Sequence, residues 1–237
     1  MDFSALFKES DFSAFSIEHG IPVFIAFLFG IFVVYVAKTK LTAIGQKQLL
    51  VVLAFIPTVA LIIFTLMKLG TGNFDSTKDL PLHLCRLLAI GAPLVYYYQN
   101  KYWSGIFYFW IIVGTFNAIV TPDVRFGYPH WEYFDYFLLH ASLVIIPIYY
   151  ILVFRHKIKL RDLWNTFWMS NLLVLITLPL NLLIGSNYMF TVHKPESATI
   201  MDHLGPWPWY IVSLQFIGLA MFFIAYLPFI FINKKSS

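Results

Sequence analysis

Seven long apolar runs govern what this chain can fold into: about Ile21 to Ala37, Leu49 to Met67, Leu82 to Tyr98, Trp103 to Val120, Trp131 to Phe154, Leu163 to Gly185 and Trp209 to Ile232. Most approach the roughly 20 residues that a helix rising 1.5 Å per residue needs to cross about 30 Å of hydrocarbon. Composition agrees, with 59% hydrophobic and only 12% charged residues and a mean hydropathy of +0.74, against roughly 25% charged in soluble domains. The predicted fold class is all-α: a polytopic membrane helix bundle of about seven transmembrane helices. Residues 1–237 are read as a single transmembrane domain, with residues 1–20 either an interfacial segment, from the near-helical spacing of Phe3, Leu6, Phe7, Phe12 and Phe15, or a disordered tail.

Charge orients the bundle. With the N-terminus outside and the C-terminus inside, ten cations fall within (Lys38, Lys40, Lys47, Lys101, Arg155, Lys157, Lys159, Arg161, Lys234 and Lys235) and five outside (Lys8, Lys68, Lys78, Arg125 and Lys194). That two-to-one bias fits the positive-inside rule. The acids lean the other way: Asp162 alone lies within, and Asp2, Glu196 and the rest lie outside or at the outer edge. The first twenty residues carry four acids and one lysine, unlike the basic lead of a secretory signal, so no cleaved signal is expected. The expected location is a cell membrane, specifically a bacterial plasma membrane crossed several times.

Polar groups inside such runs are costly and mark functional candidates. The segment Leu80-Pro81-Leu82-His83-Leu84-Cys85-Arg86 places the only cysteine beside a histidine and an arginine at the start of the third run. The unpaired amides of that helix start and the charge of Arg86 favour a nucleophilic thiolate at Cys85. His140, about nine residues into the fifth run, is the natural base. Two plainer readings stand beside this one: Cys85 packs as a small hydrophobe, and His140 bonds a carbonyl across a helix pair. On a regular helix Asp79, His83 and Arg86 share one face and Cys85 lies on another. Either the helix start is irregular, or one of His83 and Cys85 is structural. Asn181 is a candidate donor to an oxyanion or headgroup. Five runs contain proline (Pro57, Pro93, Pro147, Pro179, Pro228), and each frees a carbonyl that must find a partner. The stretch Met201 to Tyr210, with Asp202 and His203, reads either as a capped approach to the seventh helix or as a lid facing a lipid headgroup. No HExxH or CxxC spacing supports a metal, and no GxxxxGK[ST] loop supports a nucleotide, so no cofactor is expected.

The phrases PLHLCR, Thr121-Pro122-Asp123 to His130, FLLHASLV around His140 and DHLGPWPWY resemble those of YwaF-like bacterial integral membrane proteins, from about Asp79 to Tyr210. That group is distantly similar to eukaryotic cysteine-dependent transmembrane acyltransferases that remodel phospholipids, and to androgen-induced membrane hydrolases, which use threonine and histidine. The resemblance implies a nucleophile at Cys85 and a histidine at His140. It departs in one respect: the eukaryotic cysteine is followed directly by histidine, whereas Cys85 is followed by Arg86 and preceded at two residues by His83.

The favoured function is a thiol-dependent lipid acyltransferase or hydrolase whose cavity opens to the outer leaflet, with Cys85 attacking an ester and His140 moving the proton. His83, Arg86, Asp79, Asn181, Asp202 and His203 support it. Membrane lipids are the expected partners and nucleic acids are not; the sequence specifies neither the lipid nor an oligomeric state. The alternative is a transporter or channel built on His83, Arg86 and His140. A retinal receptor is disfavoured, because the seventh run contains no lysine.

Overall fold

The computed structural model describes residues 4–195 and 200–234. Asp2, Phe3, Glu196 and Lys235 lie outside the described residues. Among the described residues seven longer helices follow one another: α1 (Ile17–Lys40), α2 (Ala43–Gly70), α3 (Leu84–Tyr97), α4 (Lys101–Val120), α5 (Trp131–Phe154), α6 (Leu160–Ile184) and α7 (Trp209–Lys234). Six are long and apolar enough to cross a membrane, and α3 is a shorter apolar helix. The chain is therefore a multi-pass membrane protein of the helix-bundle class.

Helix starts follow the capping chemistry of the sequence. The hydroxyls of Ser16 and Thr42 accept the amides of His19 and Gly45, and the Asn100 side chain accepts those of Tyr102 and Trp103, each satisfying donors that the first turn leaves open. At the far end of α6, Gly185 closes the helix at φ 67°, the left-handed conformation glycine adopts without a Cβ penalty. The centre of the bundle is α2, α3, α4 and α5, with α1 laid on α5, and α6 and α7 on α4. Ala54 and Ala60 of α2 and Ala89 and Ala92 of α3 are buried in the bundle core; small residues let backbones approach closely where lipid supplies no hydrophobic drive. Exposed Phe24, Phe27, Ile31 and Phe32 on α1 face lipid. Residues before and at the start of α1 dock on the α4–α5 loop and the first turns of α5: Gly127 N–H donates to the Ser10 carbonyl at 2.8 Å, Tyr133 hydroxyl to that of Glu18 at 2.6 Å, and the Phe12 ring meets His19, Tyr133 and Phe137.

One freed carbonyl shows how the prolines are accommodated. Pro93 cannot bond the carbonyl of Ala89, and the hydroxyl of Thr58 on α2 donates to it at 2.5 Å, replacing an internal bond with one that ties two helices.

The third run begins later than its hydropathy predicts. Leu82 and His83 are not helical; His83 is extended (φ −71°, ψ 145°) and α3 starts at Leu84 with 14 residues, about 21 Å long. Pro81 and a set of side-chain bonds hold the preceding turn. Tyr188 hydroxyl accepts Leu80 N–H and donates to the Ser76 carbonyl, Asp79 carboxylate accepts Asp75 N–H, and Arg86 donates to the Asp79 carbonyl at 2.6 Å. Irregular backbone at this depth is tolerated because protein groups satisfy it.

Candidate functional site

Because residues 79–83 are not helical, helical periodicity does not set Asp79, His83 and Arg86 apart from Cys85. The helix start is irregular, and the four groups are arranged by its turns. Asp79 is buried, with its carboxylate on the Asp75 amide and its carbonyl on Arg86. The guanidinium of Arg86 also lies over Phe64 at 4.2 Å, a cation–π contact. Cys85 is the second residue of α3 and half-buried. Its Sγ lies 3.7 Å from Thr115 Oγ1.

Thr115 reaches Cys85 through a local irregularity in α4. Residues Ile111–Thr115 form a π-helical turn inside an otherwise α-helical span. Such a turn slips the register by one residue and re-aims the side chains on its C-terminal side. Thr115 is fully buried, and a Cβ added at Gly114 would sit 3.4 Å from Leu84 Cδ2, so α4 makes its close approach to α3 beside the thiol. The residue carries no sequence signal of this role. Thr65, Thr166 and Thr177 bond back to carbonyls four residues earlier, the ordinary habit of threonine in a helix.

His140 is half-buried on α5. Its Nδ1 lies 2.7 Å from the carbonyl of Tyr136; a carbonyl only accepts, so Nδ1 carries the hydrogen and Nε2 presents the lone pair. The ring stacks on Tyr136 at 4.1 Å, and Tyr136 hydroxyl donates to the Ala118 carbonyl at 2.7 Å, fixing the pair against the outer end of α4. Helices α3, α5 and the π turn pack together. Arg86 lies within electrostatic range of both Cys85 and His140, and Tyr136 within range of Cys85. No hydrogen bond joins Cys85 to His140; the thiol's partner is Thr115.

The outer covering is aromatic. Tyr188 and Phe190 pack their rings on His83 at 5.1 and 5.9 Å. Between them Met189 takes φ 56°, and Phe190 itself φ 54°, conformations that bulky residues avoid and that neighbouring structure must impose. Tyr210 hydroxyl donates to the Phe190 carbonyl at 2.6 Å, and Trp207 Nε1–H to that of Thr191 at 3.2 Å, so the Met201 to Tyr210 stretch backs this turn. Asn181 is buried and fully committed to it: its amide donates to the Tyr188 carbonyl and Thr191 Oγ1, and its carbonyl accepts Ser186 Oγ and Tyr188 N–H. Asp202 and His203 lie in an exposed short helix (Ile200–His203) beyond the covering turn. Beneath the turn, Met189 joins Leu84, Val113, Gly114, Gln215 and Leu219 around a cavity of about 220 Å³; Leu84 and Gly114 are the chain neighbours of Cys85 and Thr115, which are not themselves in its wall.

Two of the groups outside the spans with displaced titrations lie near this site. Burial holds the His130 imidazole below its usual range, and its Nδ1 accepts the Glu132 amide at 3.2 Å, capping α5. Burial pushes the Tyr188 phenol up, consistent with a hydroxyl that must donate to Ser76. Among the described residues no three His, Cys, Asp or Glu side chains converge to hold a metal ion.

No curated protein and no solved structure matches the chain. One family model does, over residues 14–226. That span takes in α1 through α6, most of α7, and the neighbourhoods of Cys85, Thr115 and His140. The chain belongs to the TMEM164 family of membrane proteins.

Proposed function

We propose that this protein is a membrane-embedded lipid acyltransferase or hydrolase, with Cys85 as nucleophile and His140 as base. The observation that carries the proposal is the setting of Cys85: a thiol on the first turn of α3 whose one partner is a buried threonine presented by a π turn, next in the chain to a residue, Leu84, that walls a mostly apolar cavity. π turns recur at functional sites. The likeness of PLHLCR and its companion phrases to YwaF-like proteins, a group distantly similar to cysteine-dependent acyltransferases, points the same way and suggests a bacterial plasma membrane as the location.

In the reaction, Nε2 of His140 takes the thiol proton as sulfur attacks the ester carbonyl. The carbon–oxygen bond of the ester then breaks, and the imidazolium returns the proton to the leaving alkoxide. The product is a thioester on Cys85 and a free hydroxyl, such as that of a lysolipid. Water or a second alcohol, deprotonated by His140, takes the acyl group and restores the thiol. Ester, thioester and ester lie close enough in energy that no nucleotide is needed. Arg86, steadied on the Asp79 carbonyl and on Phe64, supplies the positive charge for a developing oxyanion or a headgroup phosphate. Thr115 holds Sγ in place. His83 and Asn181 act as positioning residues, the first under the aromatic covering and the second by shaping it, while Asp202 and His203 meet the headgroup at the rim.

The transporter alternative gains nothing from the span interior. Asn117 and Asn171 donate to carbonyls four residues earlier, and Ser170 is spent between Trp110 and Thr166, leaving little polar lining for a path. The test is a radiolabelled acyl phospholipid presented to purified protein in liposomes. Wild type should acquire label that neutral hydroxylamine releases, and Cys85→Ala should not. Equal lipid turnover in Cys85→Ala overturns the assignment.

A further inference from the structure

At the opposite end of the bundle, the connection from α5 to α6 and the start of α4 enclose a cavity of about 510 Å³. Five cations line it: Lys101, Arg155, Lys157, Lys159 and Arg161. The positive-inside rule accounts for cations near the cytoplasmic edge; it does not require five of them to converge on one concavity. Like charges so gathered repel, and the compact state carries that cost unless an anion sits among them.

The one acid of the cavity wall, Asp162, leaves an excess of four positive charges. Asp162 is buried, and its carboxylate accepts the Lys159 N–H at 2.8 Å. It presses on α4 at Gly105, where an added Cβ would come within 2.7 Å of the carboxyl carbon. Among the described residues the single side-chain ion pair is Lys68–Glu132 at 2.9 Å, at the outer end, so none of the five cations is paired. The contact at Gly105 also draws the N-termini of α4 and α6 together, and their dipoles add positive potential to the same space. In the wall, His156 lies against Tyr150 at 4.8 Å, and its buried Nε2 has no hydrogen-bond partner. The rings of Tyr102, Tyr150 and Phe154 supply an apolar side. The volume falls within the roughly 300–1,000 Å³ of small-molecule sites and exceeds what a bare ion needs.

We propose that this cavity binds a phosphate group, carried either by an anionic lipid of the inner leaflet or by a soluble phosphate ester. It is separate from the Cys85 site: Lys101 and Thr115 stand 14 residues apart on α4, about 21 Å.

The probes are dioctanoyl phosphatidic acid, dioctanoyl phosphatidylcholine and glycerol 3-phosphate, applied to the purified full-length chain in a neutral detergent, with affinity read by microscale thermophoresis. Lys157 and Arg161 are exposed, so Lys157→Gln/Arg161→Gln should fold. It should bind phosphatidic acid on the order of tenfold or more weakly. Lys38→Gln/Lys40→Gln removes equal charge from the same membrane face outside the cavity and should bind as wild type does. Competition by glycerol 3-phosphate at comparable affinity identifies the soluble source, and its failure to compete identifies the lipid. Phosphatidylcholine binding as tightly as phosphatidic acid, or the two double variants losing affinity equally, overturns the proposal.

Discussion

Gly105→Ala sets two rules against each other. An alanine in a helix interior is favoured over glycine by about 1 kcal/mol, so helix propensity predicts that the change stabilises α4. The structure predicts the reverse, because the new Cβ would lie 2.7 Å from Asp162 Cγ and 2.8 Å from its Cβ. Relief by swinging a flexible tip is closed off, since the contact includes the Cβ itself and the carboxylate is bonded to the Lys159 amide. Overpacking of this kind costs typically 1–3 kcal/mol, and separating the carboxylate from its amide adds about 1 kcal/mol or more. The net expectation is a loss of about 1–3 kcal/mol, which for a chain of this size lowers Tm by roughly 2–12 °C. Thermal unfolding in detergent, followed by tryptophan fluorescence, reads it. The decisive comparison is the background lacking that side chain altogether: in Asp162→Gly, Gly105→Ala should cost far less or turn stabilising. A rise in Tm when Gly105→Ala is made in the otherwise wild-type chain would refute the account of how α4 and α6 are held together.

Thr58→Val leaves the Ala89 carbonyl unpaired in the bundle core, and should cost about 1–3 kcal/mol of stability. With Pro93→Ala restoring an amide donor, that cost should largely vanish in the same unfolding assay. His140→Gln keeps a polar group but removes the base, so acyl turnover from labelled phospholipid should fall on the order of 10²–10⁴-fold with Cys85 intact; retention of full activity would exclude His140 from proton transfer. Burial holds His130 and His156 below their ordinary titration range. As pH falls below about 6.5 the unfolded chain takes up protons that the folded chain does not, so stability is full above that value and declines beneath it. The midpoint of unfolding should drop between pH 7 and 5, and less steeply in His130→Asn, which keeps a capping acceptor without titrating; equal slopes would show that His130 does not contribute.

The features legible in the sequence are those decided by local forces. Hydropathy locates all seven helices, and Trp131 to Phe154 to the residue, because the lipid phase imposes helix wherever an apolar run is long enough. It sets the start of α3 two residues early, since Leu80 and Leu82 are apolar although the Leu80 amide is bonded to Tyr188 and the Asp79 carbonyl to Arg86, which holds the preceding turn out of the helix. The π turn leaves no trace in the sequence, because a register slip is decided by the neighbours packed against it, and Thr115 is hidden with it. Asn181 shows the converse: its position near the outer edge suggests a free donor, yet all its bonding is spent on the 186–191 turn.

The shortness of α3 has a functional consequence that can be measured. Tyr97 and Tyr98 are exposed at its inner end, where aromatic hydroxyls mark the membrane boundary. A helix of 14 residues rises about 21 Å from there, roughly 9 Å short of a hydrocarbon thickness of about 30 Å. Cys85 therefore lies below the outer boundary, under Tyr188 and Phe190, at a depth suited to an ester group rather than to bulk water. As the only cysteine in the chain, it reports its own surroundings. In sealed proteoliposomes a small apolar thiol reagent such as N-ethylmaleimide should modify it, while a bulky sulfonated maleimide added outside should react at least tenfold more slowly. Tyr210→Phe, which removes the bond holding Phe190, should narrow that gap. Equal rates for the two reagents in the wild type would place the sulfur in open water, and an acyl chain could then not be delivered to it from the bilayer.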